Sequence, residues 1–302
     1  MSHLPELCLG TVQFGLPYGV TNQGGQVPEE EVRRILDLAA ASGISLLDTA
    51  QAYGTAEKVL GSCWPADAPR RLISKLPAEA PRQRWEESLV TSLQRLQTPK
   101  LHGLLLHRAA DLLAPDGDEL LNWLEGLRNR GQVERIGVSI YEASELEGLP
   151  LNRLQLVQLP LSVYDQRLIR DGTVDRLQDL GFAVHVRSVL LQGLLLQSPL
   201  QLMDHLSIAF REHHAQWIEY LHRERLYPLA GALGFVRACE GVEAVLVGVL
   251  SCQELAQVLH AWNQSTNSAL ESLEEWAWED VLDLDPRRWP PRSVPDASGP
   301  RR

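Results

Sequence analysis

Cysteine, net basic charge and long apolar runs are all scarce in this sequence, and each scarcity narrows what the protein can be. The four cysteines, Cys8, Cys63, Cys239 and Cys252, are scattered without a CxxC pair or Cys/His ligand spacing, so neither a disulfide framework nor a zinc site is indicated. They read as reduced core residues, and no metal is expected. Acidic residues outnumber basic ones 39 to 28, giving a formal charge of -11, and this argues against a general binder of nucleic acid or anionic membrane. No window approaches the roughly 20 apolar residues needed to span a bilayer. The opening MSHLPELCLG carries no basic flank followed by a long apolar segment, which makes the cytoplasm the expected address. Also missing is a GxGxxG after a first strand, which weakens the case for an open doubly wound dinucleotide-binding sheet.

What is present is enough apolar material for a large core: 44% of 302 residues. Short apolar runs alternate with longer amphipathic stretches, the pattern of parallel strands joined by helices. The strand candidates are LCLGTVQ, SLLDTA, RLISKL, LHGLLLH, RIGVSI, LQLVQLP, FAVHVRSVL and EAVLVGV. Between them lie EEEVRRILDLAAAS, RWEESLVTSLQRL and DELLNWLEGLRNRG, apolar at helical spacing, and Gly43, Gly131 and Gly181 stand where helix C-caps are needed. Eight such units match the size of a single-domain (β/α)8 TIM barrel, predicted over residues 1–275. The longest connection, about Leu191 to Gly241, includes HHAQWIEYLHRERL and is expected to make an excursion over one face. Residues 276–302 form a Pro-rich, charged tail, expected to be extended and either packed along the barrel or partly disordered.

In such a barrel, chemistry gathers where strands end. Asp48 closes SLLD, Lys75 closes RLISK, His107 closes LHGLLLH, and Tyr53 lies in the loop after Asp48, within LLDTAQAYGTAE. Taken singly these are a turn former, a solvated charge, a core histidine and a packing tyrosine. Together on one rim they suit proton donation to a carbonyl oxygen as hydride reaches carbon. A lysine beside a tyrosine is expected to lower its pKa from about 10, and an aspartate to hold that lysine charged. His102, at the start of its strand and on the opposite face from His107, is expected to be structural.

With these segments in place, the chain resembles an aldo-keto reductase. DTAQAYGTAE, LISK and LLLH match the family's catalytic segments, and LGTVQFG, GVSIY, VQLPLSVYDQR, VRSVLLQGLLL and EAVLVGV follow in family order from about Leu7 to Trp262. The resemblance implies a barrel that binds NADP or NAD in extended form. It also implies a small-molecule carbonyl substrate, with Tyr53 as general acid, Lys75 and Asp48 as its tuning pair, and His107 orienting the carbonyl. Asp48 and Thr11, in LGTVQFG, are further implied to lie against the cofactor.

The cofactor half departs from the family. Its Ser-Asn pair becomes Ser139-Ile140, while the sixth-strand Gln158 is kept. Where relatives place an aromatic residue against the nicotinamide, Arg187 stands before Ser188, Val189 and Leu190, and a guanidinium can stack on a flat ring. Gly193 lies in the segment implied to wrap the pyrophosphate. After the eighth strand, Gly248 is followed by Ser251 and Glu254 with no Lys or Arg for a 2′-phosphate, so the family's usual NADPH is set against local chemistry leaning towards NADH. These departures suggest a divergent bacterial-type branch. The substrate pocket is expected from the loops after Tyr53 and His107, the Leu191 to Gly241 connection, and Trp64 unless that ring is core. Two other functions fit the same residues less well: a nucleotide-binding regulatory or accessory subunit with little turnover, and a lyase using Lys75 for a Schiff base.

Overall fold

The structure, a computed structural model, describes residues 4–264 and 273–289. Eight parallel strands close on themselves in chain order: β1 (Glu6–Gly10), β2 (Leu46–Asp48), β3 (Arg71–Leu76), β4 (Leu101–Leu106), β5 (Val133–Ser139), β6 (Leu156–Pro160), β7 (Ala183–Arg187) and β8 (Ala244–Gly248). The predicted (β/α)8 barrel is therefore the fold. Around it run α1 (Glu29–Ala41), α2 (Ala56–Cys63), α3 (Trp85–Arg95), α4 (Gly117–Asn129), α5 (Arg167–Arg170), α6 (Thr173–Asp179), α7 (Ile208–Arg223), α8 (Pro228–Ala238) and α9 (Cys252–Gln264), with a short α10 (Val281–Leu284) in the tail. Gly43, Gly131 and Gly181 end their helices at φ 81°, 71° and 80°, values that suit glycine.

Inside the barrel the side chains form layers. A middle plug of Cys8, Leu46, Ile73, Leu105, Leu156 and Ala244 is buried. At the N-terminal mouth Glu6 pairs with Arg71, and Glu243 with Arg135 and His185. Hydrogen bonds from His185 and Arg135 hold the Glu243 carboxyl down at about 2, below its ordinary 4.5. A carboxylate depressed by folding stabilises fully above the unfolded pKa and loses that contribution as pH falls towards the folded one. Glu243→Gln should thus melt below the native protein at pH 7, and thermal scans should converge as pH drops from 4.5 towards 2. An equal deficit at both ends of that range would sink the assignment.

The connection after β7, the expected excursion, holds α7 and α8 before the chain re-enters the barrel at β8, with α7 packed on α8 and α8 on α9. It is fastened by aromatic packing, with Tyr164 at 5.6 Å from Phe210 and 6.2 Å from Trp217. The described part of the tail, through Trp289, folds into helical turns rather than an extended strand and packs on this excursion. Trp278 N–H donates to the Tyr164 carbonyl at 2.8 Å, Ser207 Oγ donates to Asp283 at 2.8 Å, and Trp217 meets Trp276 at 5.2 Å. Apolar rings overrode the extended reading, because burying them outweighs the Pro-rich composition that suggested it. Residues 290–302 of the predicted tail lie outside the described residues.

Candidate active site

Above the plug comes a polar layer. Alternation along β2, β3 and β6 puts Asp48, Lys75 and Gln158 inward, two residues beyond the plug residues Leu46, Ile73 and Leu156. Lys75 Nζ donates to Asp48 Oδ1 at 2.6 Å and to the Thr49 carbonyl at 3.1 Å, and reaches Tyr53 Oη at 3.5 Å. Gln158 Nε2 donates to the other Asp48 oxygen at 2.8 Å. The His107 ring stands edge-on to the Tyr53 ring, 6.2 Å between centres, and its nitrogens make no hydrogen bond within the described residues. So the four predicted catalytic groups converge. His102 instead pairs with Glu134 at 2.8 Å, as a structural histidine would.

The loop carrying Tyr53 is held by close backbone contact. A Cβ on Gly15 would stand 1.8 Å from the Tyr53 carbonyl, and one on Gly54, at φ 57°, only 2.5 Å from the Gly15 carbonyl. Only glycine at both positions lets the β1 and β2 loops seat the phenol over Lys75. Behind them Glu57, buried on α2, accepts from Ser74 Oγ and Ser92 Oγ at 2.7 Å each. Ser74 precedes Lys75 on β3, so this carboxylate ties the segment after Tyr53 to the strand that carries Lys75. Glu57 was visible in DTAQAYGTAE, but its burial and its two hydroxyl partners come from distant segments.

Electrostatics correct one expectation. Burial raises the Tyr53 phenol above its ordinary value of 10.0, outweighing Lys75, which pulls it down. Desolvation wins because much of the Tyr53 ring packs against the core, while Asp48 opposes the downward pull of Lys75. Burial also pulls Lys75 down, but Asp48 and Tyr53 more than offset it, and the amine stays charged above its ordinary range. Burial, then Lys75 and Arg187, hold His107 below 6.5, so its imidazole is neutral at neutral pH.

These groups sit at one end of a cavity of about 420 Å³ that also takes in Thr11, Ser139, Arg187, Ser188, Val189, Leu190, Gly193, Gly248 and Glu254. Ser251 is the exception among the predicted contacts. It lies off the wall, where its hydroxyl accepts from Glu254 N–H at 3.1 Å and caps α9. Glu254 turns one carboxylate oxygen back to the Leu250 N–H at 2.7 Å. Thr11 donates to the Asp48 carbonyl at 2.9 Å, bracing the end of β2. Trp64 is core: it is buried, and its indole N–H donates to the Ala68 carbonyl at 3.1 Å.

Between β7 and α7 the backbone takes left-handed conformations at Ser188 (φ 60°), Leu191 (44°), Gln192 (56°) and Gly193 (93°). Three of these are not glycine, at a cost of about 1–2 kcal/mol each, and such strain collects at ligand clamps. The β1 loop folds onto this segment: a Cβ on Gly193 would come 2.3 Å from Thr21 Oγ1. That loop lends Tyr18, Thr21 and Asn22 to the cavity. Sequence reasoning assigned these no role. The signal was the Asn22-x-Gly-Gly turn, in which Asn22 Oδ1 accepts from the N–H groups of Gly24 and Gly25 at 2.9 and 3.0 Å.

A parallel barrel with an Asp, Lys, Tyr and His gathered on one cavity at its strand ends has the architecture of a barrel enzyme. The chain belongs to the aldo/keto reductase family, whose sequence profile matches residues 6–276, and it is an NAD(P)-dependent oxidoreductase. Solved structures agree in fold. An aldo-keto reductase from Bacillus halodurans in its holo form is 21% identical with a TM-score of 0.75, covering 95% of this chain and 96% of that one. An aldo-keto reductase from Klebsiella pneumoniae in complex with NADPH is 20% identical with a TM-score of 0.69, covering 90% of each chain.

Proposed function

We propose that the protein reduces an aldehyde, ketone or sugar-like carbonyl to the alcohol, or runs the reverse oxidation, with Tyr53 as proton donor. The observation that carries this reading is the Asp48–Lys75–Tyr53 chain beside a neutral His107 on one cavity. Bound NAD(P)H supplies the hydride. His107 donates to the carbonyl oxygen and orients it. Tyr53 delivers its proton to that oxygen as negative charge builds there, and Lys75, held cationic by Asp48, stabilises the phenolate left behind. Lys75 is tied to Asp48 and protonated, which makes it a poor Schiff-base nucleophile.

The cavity suits an extended dinucleotide. Ser139 and Gln158 offer polar contacts to the carboxamide, and the segment from Ser188 to Gly193, left-handed at four of its residues, lines the cavity where the pyrophosphate would lie. Val189 and Leu190 lie within that segment, and Gly248 and Glu254 border the adenosine end. Lys75 and Arg187 are the Lys and Arg residues on the cavity wall, and both belong to the chemical end. A 2′-phosphate near Glu254 would meet a carboxylate and no cation there. NADPH and NADH are therefore expected to bind within about tenfold of each other, a difference of about 1.4 kcal/mol.

The test titrates both reduced cofactors against tryptophan fluorescence, then follows their absorbance with a panel of aldehydes and ketones. Binding with turnover, and an acid limb of kcat/KM below pH 6.5 where His107 becomes protonated, is the expected outcome. Absence of binding by either cofactor would overturn the reading. Binding without turnover across the panel would favour a regulatory subunit.

A further inference from the structure

We infer that Arg187 is a fixed cation that makes this protein hold the reduced, uncharged nicotinamide in preference to the oxidised pyridinium. The inference rests on the nicotinamide-dependent reading above and concerns which redox form the site retains.

The guanidinium is immobilised. It donates to the Ile140 carbonyl at 2.9 Å, approaches Ser188 Oγ at 3.4 Å, and lies 3.8 Å over the Tyr141 ring. Arg287 from the tail lies 3.4 Å over the same ring, a spacing two planar groups can share only on opposite faces. Arg287 is itself held by both oxygens of Asp285, Oδ1 at 3.0 Å and Oδ2 at 2.7 Å. A swinging arginine loses most of its field to solvent, whereas a clamped, half-buried one keeps it.

The charge is also uncompensated. Lys75 is matched by Asp48 and Arg287 by Asp285, yet among the described residues no carboxylate stands within ion-pair distance of Arg187. Its reach to Ile140 brings it to the end of β5, where Ile140 is buried and offers no polar side chain to a carboxamide. Arg187 thus supplies the donor that position lacks, and brings a positive charge with it. Its field extends across the cavity: after burial and Lys75, it helps to pull down His107.

Loss of a hydride converts a neutral dihydropyridine into a pyridinium cation. Among Ser139, Gln158 and Arg187, that new charge faces a like charge that the reduced ring does not feel. The repulsion falls on the oxidised form alone. Spent cofactor should leave more readily, and the bound couple should be more oxidising than the free one.

The experiment measures Kd for NADH, NAD+, NADPH and NADP+ by tryptophan fluorescence on the full chain, for the native protein, Arg187→Gln and Arg187→Lys. Native protein is expected to bind the reduced member of each pair more tightly. In Arg187→Gln the oxidised-to-reduced Kd ratio should fall about tenfold, the scale of a unit charge a few Å away under solvent screening. That corresponds to a bound couple about 30 mV less oxidising. Arg187→Lys should retain most of the native ratio. General loosening of the site weakens both redox forms together, so the ratio still reports the charge. An unchanged ratio in Arg187→Gln overturns the inference, whereas failure of the native protein to bind any of the four overturns the nicotinamide reading instead.

Discussion

Tyr53→Phe should lower the turnover of carbonyl reduction by about 10²–10⁴-fold, the usual worth of a positioned general acid. Cofactor affinity should change little, because the ring keeps its edge-on contact with His107 and only the hydroxyl 3.5 Å from Lys75 is removed. The raised phenol pKa adds a further expectation: Tyr53 stays protonated through the alkaline range in which an exposed tyrosine would begin to ionise. Steady-state rates with saturating cofactor, read beside fluorescence titrations, separate the two effects. A Phe variant within a few-fold of native turnover would show that another group gives the proton.

Lys75→Met should be the most damaging single change, because it removes chemistry and stability together. Lys75 and Asp48 are both buried, and the pair also engages Gln158. Removing the cation leaves Asp48 a buried charge answered only by an amide, a defect worth about 3–5 kcal/mol. On a chain of this size that lowers the melting temperature by on the order of 10 °C. Replacing both partners, Lys75→Met with Asp48→Asn, should recover much of the stability and none of the activity, since no uncompensated charge remains. If the single variant melts like the native protein, Asp48 must be accommodated without its cation and the tuning pair is wrongly assigned.

Much of this was legible from the amino acids. Strand and helix patterning, the glycines at helix ends and the order of DTAQAYGTAE, LISK and LLLH were enough for the barrel and for a rim carrying Asp48, Tyr53, Lys75 and His107. That information is local: the residue closing an apolar strand in a barrel must point at the same mouth as its neighbours. The reading of the cofactor half was less complete. Ser251 and Glu254 were placed by their distance from Gly248, but a Ser-x-x-Glu sequence at a helix start is also a capping pattern: in the fold Ser251 caps α9 off the wall, while Glu254 borders the cavity and accepts from the Leu250 N–H.

By itself, then, the sequence determined the architecture, the family and the chemical groups at the strand ends, because periodicity and strand termini are written in neighbouring residues. Tertiary structure alone decided the environment of those groups. It set the direction in which Tyr53 titrates, since burial by far-off segments outweighs a lysine already matched by Asp48. It brought the β1 loop against Gly193, and it brought Arg287 from the tail across Tyr141 from Arg187. Desolvation and clamping depend on residues that meet only when the chain is folded, so neither can be read along it.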